Sequence, residues 1–226
     1  MNNVKRRNLS KTMVIIGLLF LISMDAKAQI NINTNPYWQG EIRLFDGTIK
    51  QGYVMVPNNS KENEIAFRPS PKGEKETIKR KHIESVGVVS EKGKRYLYEN
   101  TPIVFSFKSK KAAGNSLLLV EAKNDYVTFY VESQAYKVDA KSGEIVLLYR
   151  YNSGQDFPTI THYIKKKDAP VANMFYMTGL VGGIKKGAKY HLTEDPELMR
   201  KINEKELGKN DISEIINNYI QTTNSL

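Results

Sequence analysis

An α+β fold, an antiparallel β meander completed by a helical C-terminal end, is predicted by three features of this 226-residue chain. From Trp38 to about Tyr163, short runs rich in β-branched and aromatic residues are separated by turn residues such as Asp46-Gly47, Lys92-Gly93 and Ser142-Gly143. No long helical period falls between these runs, which argues against βαβ units. After Pro170 the spacing of apolar residues changes to a helical one.

The chain begins with a cationic stretch, Lys5, Arg6, Arg7 and Lys11, followed by the uncharged apolar run Met13–Met24. Ala26-Lys27-Ala28 then places small residues at the two positions a signal peptidase reads, so residues 1–28 are predicted to be an export signal cleaved between Ala28 and Gln29. Twelve residues of helix cover about 18 Å of a hydrocarbon core ~30 Å thick, too little for a membrane anchor. The segment holds five of the 34 basic and one of the 24 acidic residues, leaving 29 basic against 23 acidic and a net charge of +6. The mature chain is therefore expected to be soluble and periplasmic or secreted. Its moderate charge and its export argue against a nucleic-acid partner. The chain has no cysteine, which excludes disulfides, thiolate catalysis and cysteine-ligated metal.

The elements follow in order. Gly40–Leu44 alternates polar and apolar and meets Thr48–Val56 across Asp46-Gly47, a hairpin signal for a type I′ turn. Pro57–Ser60 ends that strand, Glu64–Phe67 is a third strand, and Pro69–Gly73 is a loop. Thr77-Ile78, one helical turn around Lys81–Glu84, and Ser85–Val89 come next. Later strands are Tyr96–Tyr98, Pro102–Phe107, Ser116–Ala122, Tyr126–Val131, Tyr136–Val138, Ile145–Tyr151 and Ile160–Ile164. This β-rich domain spans residues 29–169. In the helical subdomain, residues 170–226, Val171–Lys185 is predicted to form one helix weakened by Gly179, Gly182 and Gly183. Asp195-Pro196 is an N-cap with proline at the first helical position, Gly208 fits a stop, and Asn210 or Asp211 can cap a second helix. There Ile212, Ile215, Ile216, Tyr219 and Ile220 form one apolar stripe, giving a helical hairpin that must pack on something.

Reactive constellations are few. His82, His162 and His191 have no partner at metal-ligand spacing, and no Gly-x-Ser-x-Gly elbow occurs. Gly182–Lys189 imitates a phosphate loop but ends Gly-Ala-Lys rather than Gly-Lys-Ser/Thr, so a connection into the helical end is the better reading. Asp46 and Asp195 are explained by a turn and a cap, whereas Asp139, Glu144 and Asp156 lie near strand ends. Trp38 reads as a core anchor. No catalytic residue, metal or cofactor is assigned.

Basic clusters are the most visible surface feature: Lys79-Arg80-Lys81, Lys92 with Lys94 and Arg95, Lys108 with Lys110 and Lys111, Lys165–Lys167, and Lys185-Lys186. Lysines at strand ends also guard sheet edges. Their functional reading is a cationic rim, with Lys108, Lys110 and Lys111 as the candidate anion-binding residues.

Three segments, Gly-x-Ile-x-Leu-x-Asp-Gly at Gly40–Gly47, the turn Lys81–Val86, and Asp195-Pro196-Glu197-Leu198 with the ending through Tyr219, resemble uncharacterised exported proteins of Bacteroidota over most of the mature chain. These motifs are structural and bring no catalytic residue with them. The first part also resembles a small SH3-like or Sm-like barrel, in which short meandering strands are joined by one helical turn. The expected function is that of a non-enzymatic envelope protein binding a protein partner or an anionic polymer. The alternative is a hydrolase acting on cell-wall or glycan material, its acids brought together only by folding.

Overall fold

The computed structural model describes residues 35–133, 135–148, 160–179 and 183–225. The predicted export signal with Ala28 and Gln29, and Asp156, lie outside them. Twelve strands and three short helices make an α+β fold. The strands are β1 (Tyr37–Leu44), β2 (Ile49–Met55), β3 (Glu64–Arg68), β4 (Glu76–Lys79), β5 (Ile83–Val89), β6 (Arg95–Val104), β7 (Gly114–Lys123), β8 (Val127–Glu132), β9 (Ala135–Val138), β10 (Ile145–Leu148), β11 (Thr161–Lys166) and β12 (Ala172–Met177). The helices are α1 (Gly183–His191), α2 (Pro196–Asn203) and α3 (Ile212–Thr222).

Ten strands form one sheet in the order β12-β11-β8-β7-β6-β5-β1-β2-β3-β4, while β9 and β10 pair separately. The expected helical turn is the 3-10 turn Arg80–His82, between β4 and β5. Strand β12 runs beside β6 in parallel, Ala172 opposite Ile103 and Asn173 opposite Val104, so β6, β7, β8, β11 and β12 close on themselves. Pro102 lacks an N–H but lies beyond the β5 register, which ends at Ser85–Glu99, and before β12 begins, so no ladder bond is lost. That lets β6 run unbroken through both predicted strands Tyr96–Tyr98 and Pro102–Phe107 as far as Val104.

Strand β7 explains how one sheet carries several cores. Its run Leu117-Leu118-Leu119 is buried throughout because both faces are covered. Leu117 and Leu119 join Trp38, Ile42, Val86 and Tyr98 beneath the first meander. Leu118 points the other way, to Tyr130, Tyr163, Ala172 and Met174 inside the closed strands. A third cluster packs Phe129, Ile164 and Phe175 against Ile184, Leu198, Ile202, Ile216 and Tyr219 of the helices. Trp38 is buried and stacks on Tyr96 with ring centroids 6.0 Å apart, a core anchor. Asn35 ties β9 to the end of the first hairpin, donating from Nδ2 to the carbonyls of Val56, Pro57 and Tyr136.

Several local expectations are corrected. The Asp46-Gly47 hairpin holds one left-handed residue, Gly47 at φ 87°, rather than the two of a type I′ turn. Asp46 Oδ1 accepts from Thr48 N at 2.9 Å, stabilising a longer loop closed by Leu44 N to Thr48 O. Val171–Lys185 is not one helix. Ala172–Met177 is strand β12, because Ala172 and Met174 fill the interior of the closed strands while Phe175 and Tyr176 meet the helices. Among the described residues three helices follow, α2 and α3 beginning where the two expected C-terminal helices do. Asp195 caps α2, its Oδ1 accepting from Leu198 N at 2.9 Å. That helix ends at Asn203, before Gly208, and Lys205 takes the left-handed conformation, φ 66°, that returns Leu207 to the core. Asp211 precedes α3, but its carboxylate accepts from Gly208 N behind it and makes no cap bond forward.

Candidate anion-binding surface

Helix α1 lies on β12 at a contact only glycine permits. A Cβ on Gly187 would sit 1.8 Å from the carbonyl oxygen of Phe175. Gly187, the second glycine of the run that imitates a phosphate loop, therefore serves helix-on-strand packing, and Gly183–His191 is helical. This docking sets Tyr190 against the loop between β6 and β7. Phe107 of that loop stacks on Tyr190 with centroids 5.8 Å apart and planes 26° from parallel.

The two rings carry cations at both ends. Lys108 Nζ lies 4.7 Å from the Tyr190 centroid, and Lys186 Nζ lies 5.4 Å from that of Phe107. The loop is fixed by Asn173 of β12, whose Nδ2 donates to Ser106 O at 3.2 Å and Ser109 O at 2.8 Å. Ser106 and Ser109 hydroxyls accept in turn from the backbone N–H groups of Lys108 and Lys111. Lys108, Lys110 and Lys111 are exposed, as are Lys185, Lys186 and Lys189 of α1. Lys185 donates to Asn203 O at 2.7 Å. Among the described residues none of these six lysines has a carboxylate within ion-pair distance.

The structure thus joins two of the basic clusters seen in sequence, and it supplies a base for them in Phe107 and Tyr190. Neither ring stood out beforehand, since they are distant in sequence and meet only because α1 folds back over β12. The cluster Lys165–Lys167 is partly consumed elsewhere, because Lys166 pairs with Glu194 at 2.5 Å.

His191, one residue beyond Tyr190, is buried and tilts against Phe107 at 6.4 Å. Burial, with Lys166 nearby, pushes its pKa down to about 4 against the opposing influence of a Met174 backbone bond and Glu194. Its Nε2 has no hydrogen-bond partner among the described residues. Glu194 lies below. Burial would raise its carboxyl, yet bonds from Lys166, Tyr219 and Tyr126 outweigh that and hold it at about 2.

His162 and several of the acids have structural occupations. His162 Nδ1 meets Glu121 Oε2 at 2.8 Å, Glu121 being the extra residue of a bulge in β7. His82 is exposed in the 3-10 turn. Glu99 takes Tyr130 OH at 2.6 Å and Lys123 at 2.7 Å. Glu144 takes Lys94 and the Tyr96 hydroxyl, and Asp139 accepts from Ser142 N. Among the described residues no group of three His, Asp or Glu is arranged to hold a metal ion, and no helix is long and apolar enough to cross a membrane. No protein-family model, curated protein or solved structure matches the chain.

Proposed function

We propose that this chain is an exported envelope protein, periplasmic or secreted after cleavage between Ala28 and Gln29, that binds an anionic polymer without turning it over. One observation carries the reading: two lysine-bearing segments far apart in sequence converge on a stacked aromatic pair and have no carboxylate of their own among the described residues. Each lysine left without an internal counter-ion is available to an external anion. The stacked rings hold two of the ammonium groups in place by cation–π contact. Lys108, Lys110 and Lys111 form the loop side of the surface, and Lys186 with Lys189 the helical side.

Binding rather than hydrolysis is supported by how the acids are engaged. Glu144 and Glu194 are each held by a lysine and a tyrosine hydroxyl, which favours a fixed carboxylate over a proton-carrying acid. The test is equilibrium binding of the pure mature protein to an acidic polysaccharide, with assay for released product in the same samples. Saturable binding without product agrees with the proposal, and product formation moves the chain to the hydrolase reading.

A further inference from the structure

The ring pair that carries Lys108 and Lys186 touches a third ring, and that one can be charged. Phe107 stacks on Tyr190 and also meets His191, with centroids 6.4 Å apart and planes 41° from parallel. Any movement that parts Phe107 from His191 therefore disturbs the support of Lys108 on Tyr190 and of Lys186 on Phe107. His191 ends α1 and is 8% exposed. Tyr219 of α3 fixes its backbone, donating from its hydroxyl to the His191 carbonyl at 3.0 Å.

A positive charge on this ring is poorly accommodated. One bond, to the backbone of Met174 in β12, favours the protonated form. Nε2, however, is buried with no partner among the described residues, so a proton there leaves an N–H without an acceptor. The charges around it are mostly of the same sign. Lys166 acts on it from β11, Lys186 of α1 stands on the Phe107 ring it touches, and Lys108 of the β6–β7 loop stands on Tyr190. The acid that acts on it is Glu194, after α1, and that carboxylate already accepts from Lys166, Tyr126 and Tyr219. Burial, and then Lys166, push the pKa of the seated ring down to about 4, whereas a ring open to water takes a proton near 6.5.

We propose that the stack is an acid-sensitive support: protonation of His191 unseats its ring from Phe107, parts Phe107 from Tyr190, and so disperses the lysines that hold the anionic polymer. This rests on the reading of the surface as the polymer site. Simple electrostatics gives the opposite sign. A cation added near the surface, or acids neutralised around it, would tighten an anion as pH falls, whereas loss of the seated stack weakens it. By linkage, polymer that requires the seated stack also hinders protonation of His191.

The experiment measures affinity of the mature protein for dextran sulfate, whose sulfate groups stay ionised, at about pH 7 and about pH 4.5 and one ionic strength. Circular dichroism of the same samples gives the folded fraction. The native protein is expected to bind about tenfold more weakly in acid for the same amount of folded protein. His191→Leu, which cannot take up a proton, is expected to bind in acid at least as tightly as at neutral pH. In parallel, the His191 ring resonances of the native protein are followed by NMR as pH is lowered, with and without polymer, and bound polymer is expected to move the titration to lower pH. Unchanged or tighter binding by the native protein in acid overturns the proposal, and so does an equal loss in His191→Leu. If that variant does not fold, a titration that moves to higher pH with polymer, or does not move, overturns it. No binding at neutral pH overturns the polymer reading together with the proposal, whereas binding that persists in acid overturns the proposal alone.

Discussion

Gly187 and Phe175 approach so closely that any side chain at residue 187 would collide with the Phe175 carbonyl, at 1.8 Å from the added Cβ. This contact presses α1 onto β12 and so positions Tyr190 over Phe107. In an isolated helix alanine is about 1 kcal/mol better than glycine. Here the collision with backbone reverses that sign. Gly187→Ala is expected to lower stability by about 2–4 kcal/mol in urea denaturation. A stabilised variant would mean that α1 is not seated on β12.

Acid should destabilise the protein in two steps whose sign follows from buried His191 and from half-buried, hydrogen-bonded Glu194. The unfolded chain takes up a proton at His191 near pH 6.5, but folded His191 resists until about pH 4. The unfolded state therefore binds more protons across that window, and stability falls as pH drops through it, by about 3 kcal/mol in all. Glu194, held at about 2 in the fold against an ordinary 4.5, adds a further loss below pH 4.5. Stability curves at a series of pH values should show both steps, and His191→Leu should remove only the upper one. A flat profile between pH 6.5 and 4 in the native protein would contradict the burial of a neutral His191.

Helix α3 packs through Ile215, Ile216 and Tyr219, and Ile216 is 1% exposed. Alone, a helix of this length is marginal in water, so its stability comes from the cluster it joins. Ile216→Asp is expected to cost about 3–5 kcal/mol by placing a carboxylate among Phe129, Phe175 and Leu198. Thermal unfolding unchanged by that substitution would mean that α3 does not belong to the core.

The exported form is expected to begin at Gln29. Intact mass of protein recovered from the envelope or medium of an expressing Gram-negative host should match residues 29–226, with or without cyclisation of Gln29. A mature species that retains Met13–Met24 would contradict the processing site.

The sequence made local order legible and left long-range order hidden. Turn chemistry at Asp46-Gly47, Lys92-Gly93 and Ser142-Gly143 located hairpins because φ and hydrogen bonding there are local properties. Asp195-Pro196 marked the start of α2 for the same reason. Strand β12 looks helical in sequence because its two buried faces erase the alternation that identifies a strand, and only the return to β6 shows why both are buried. Lys108, Lys110 and Lys111 were visible as charge, but Phe107, Tyr190 and Lys186 became partners only through the seating of α1.

The most direct test of the account measures affinity for dextran sulfate by the mature protein and its Lys108→Gln, Lys110→Gln, Lys111→Gln triple variant across a salt series. Exposed charges are screened over roughly 10 Å at 0.1 M, and a site with several cationic contacts loses affinity on the order of tenfold between about 50 and 200 mM salt. The account predicts that loss in the native protein, with weaker binding and a shallower salt dependence in the triple variant at unchanged thermal stability. Salt-independent binding, or a triple variant that binds as the native protein does, would contradict it.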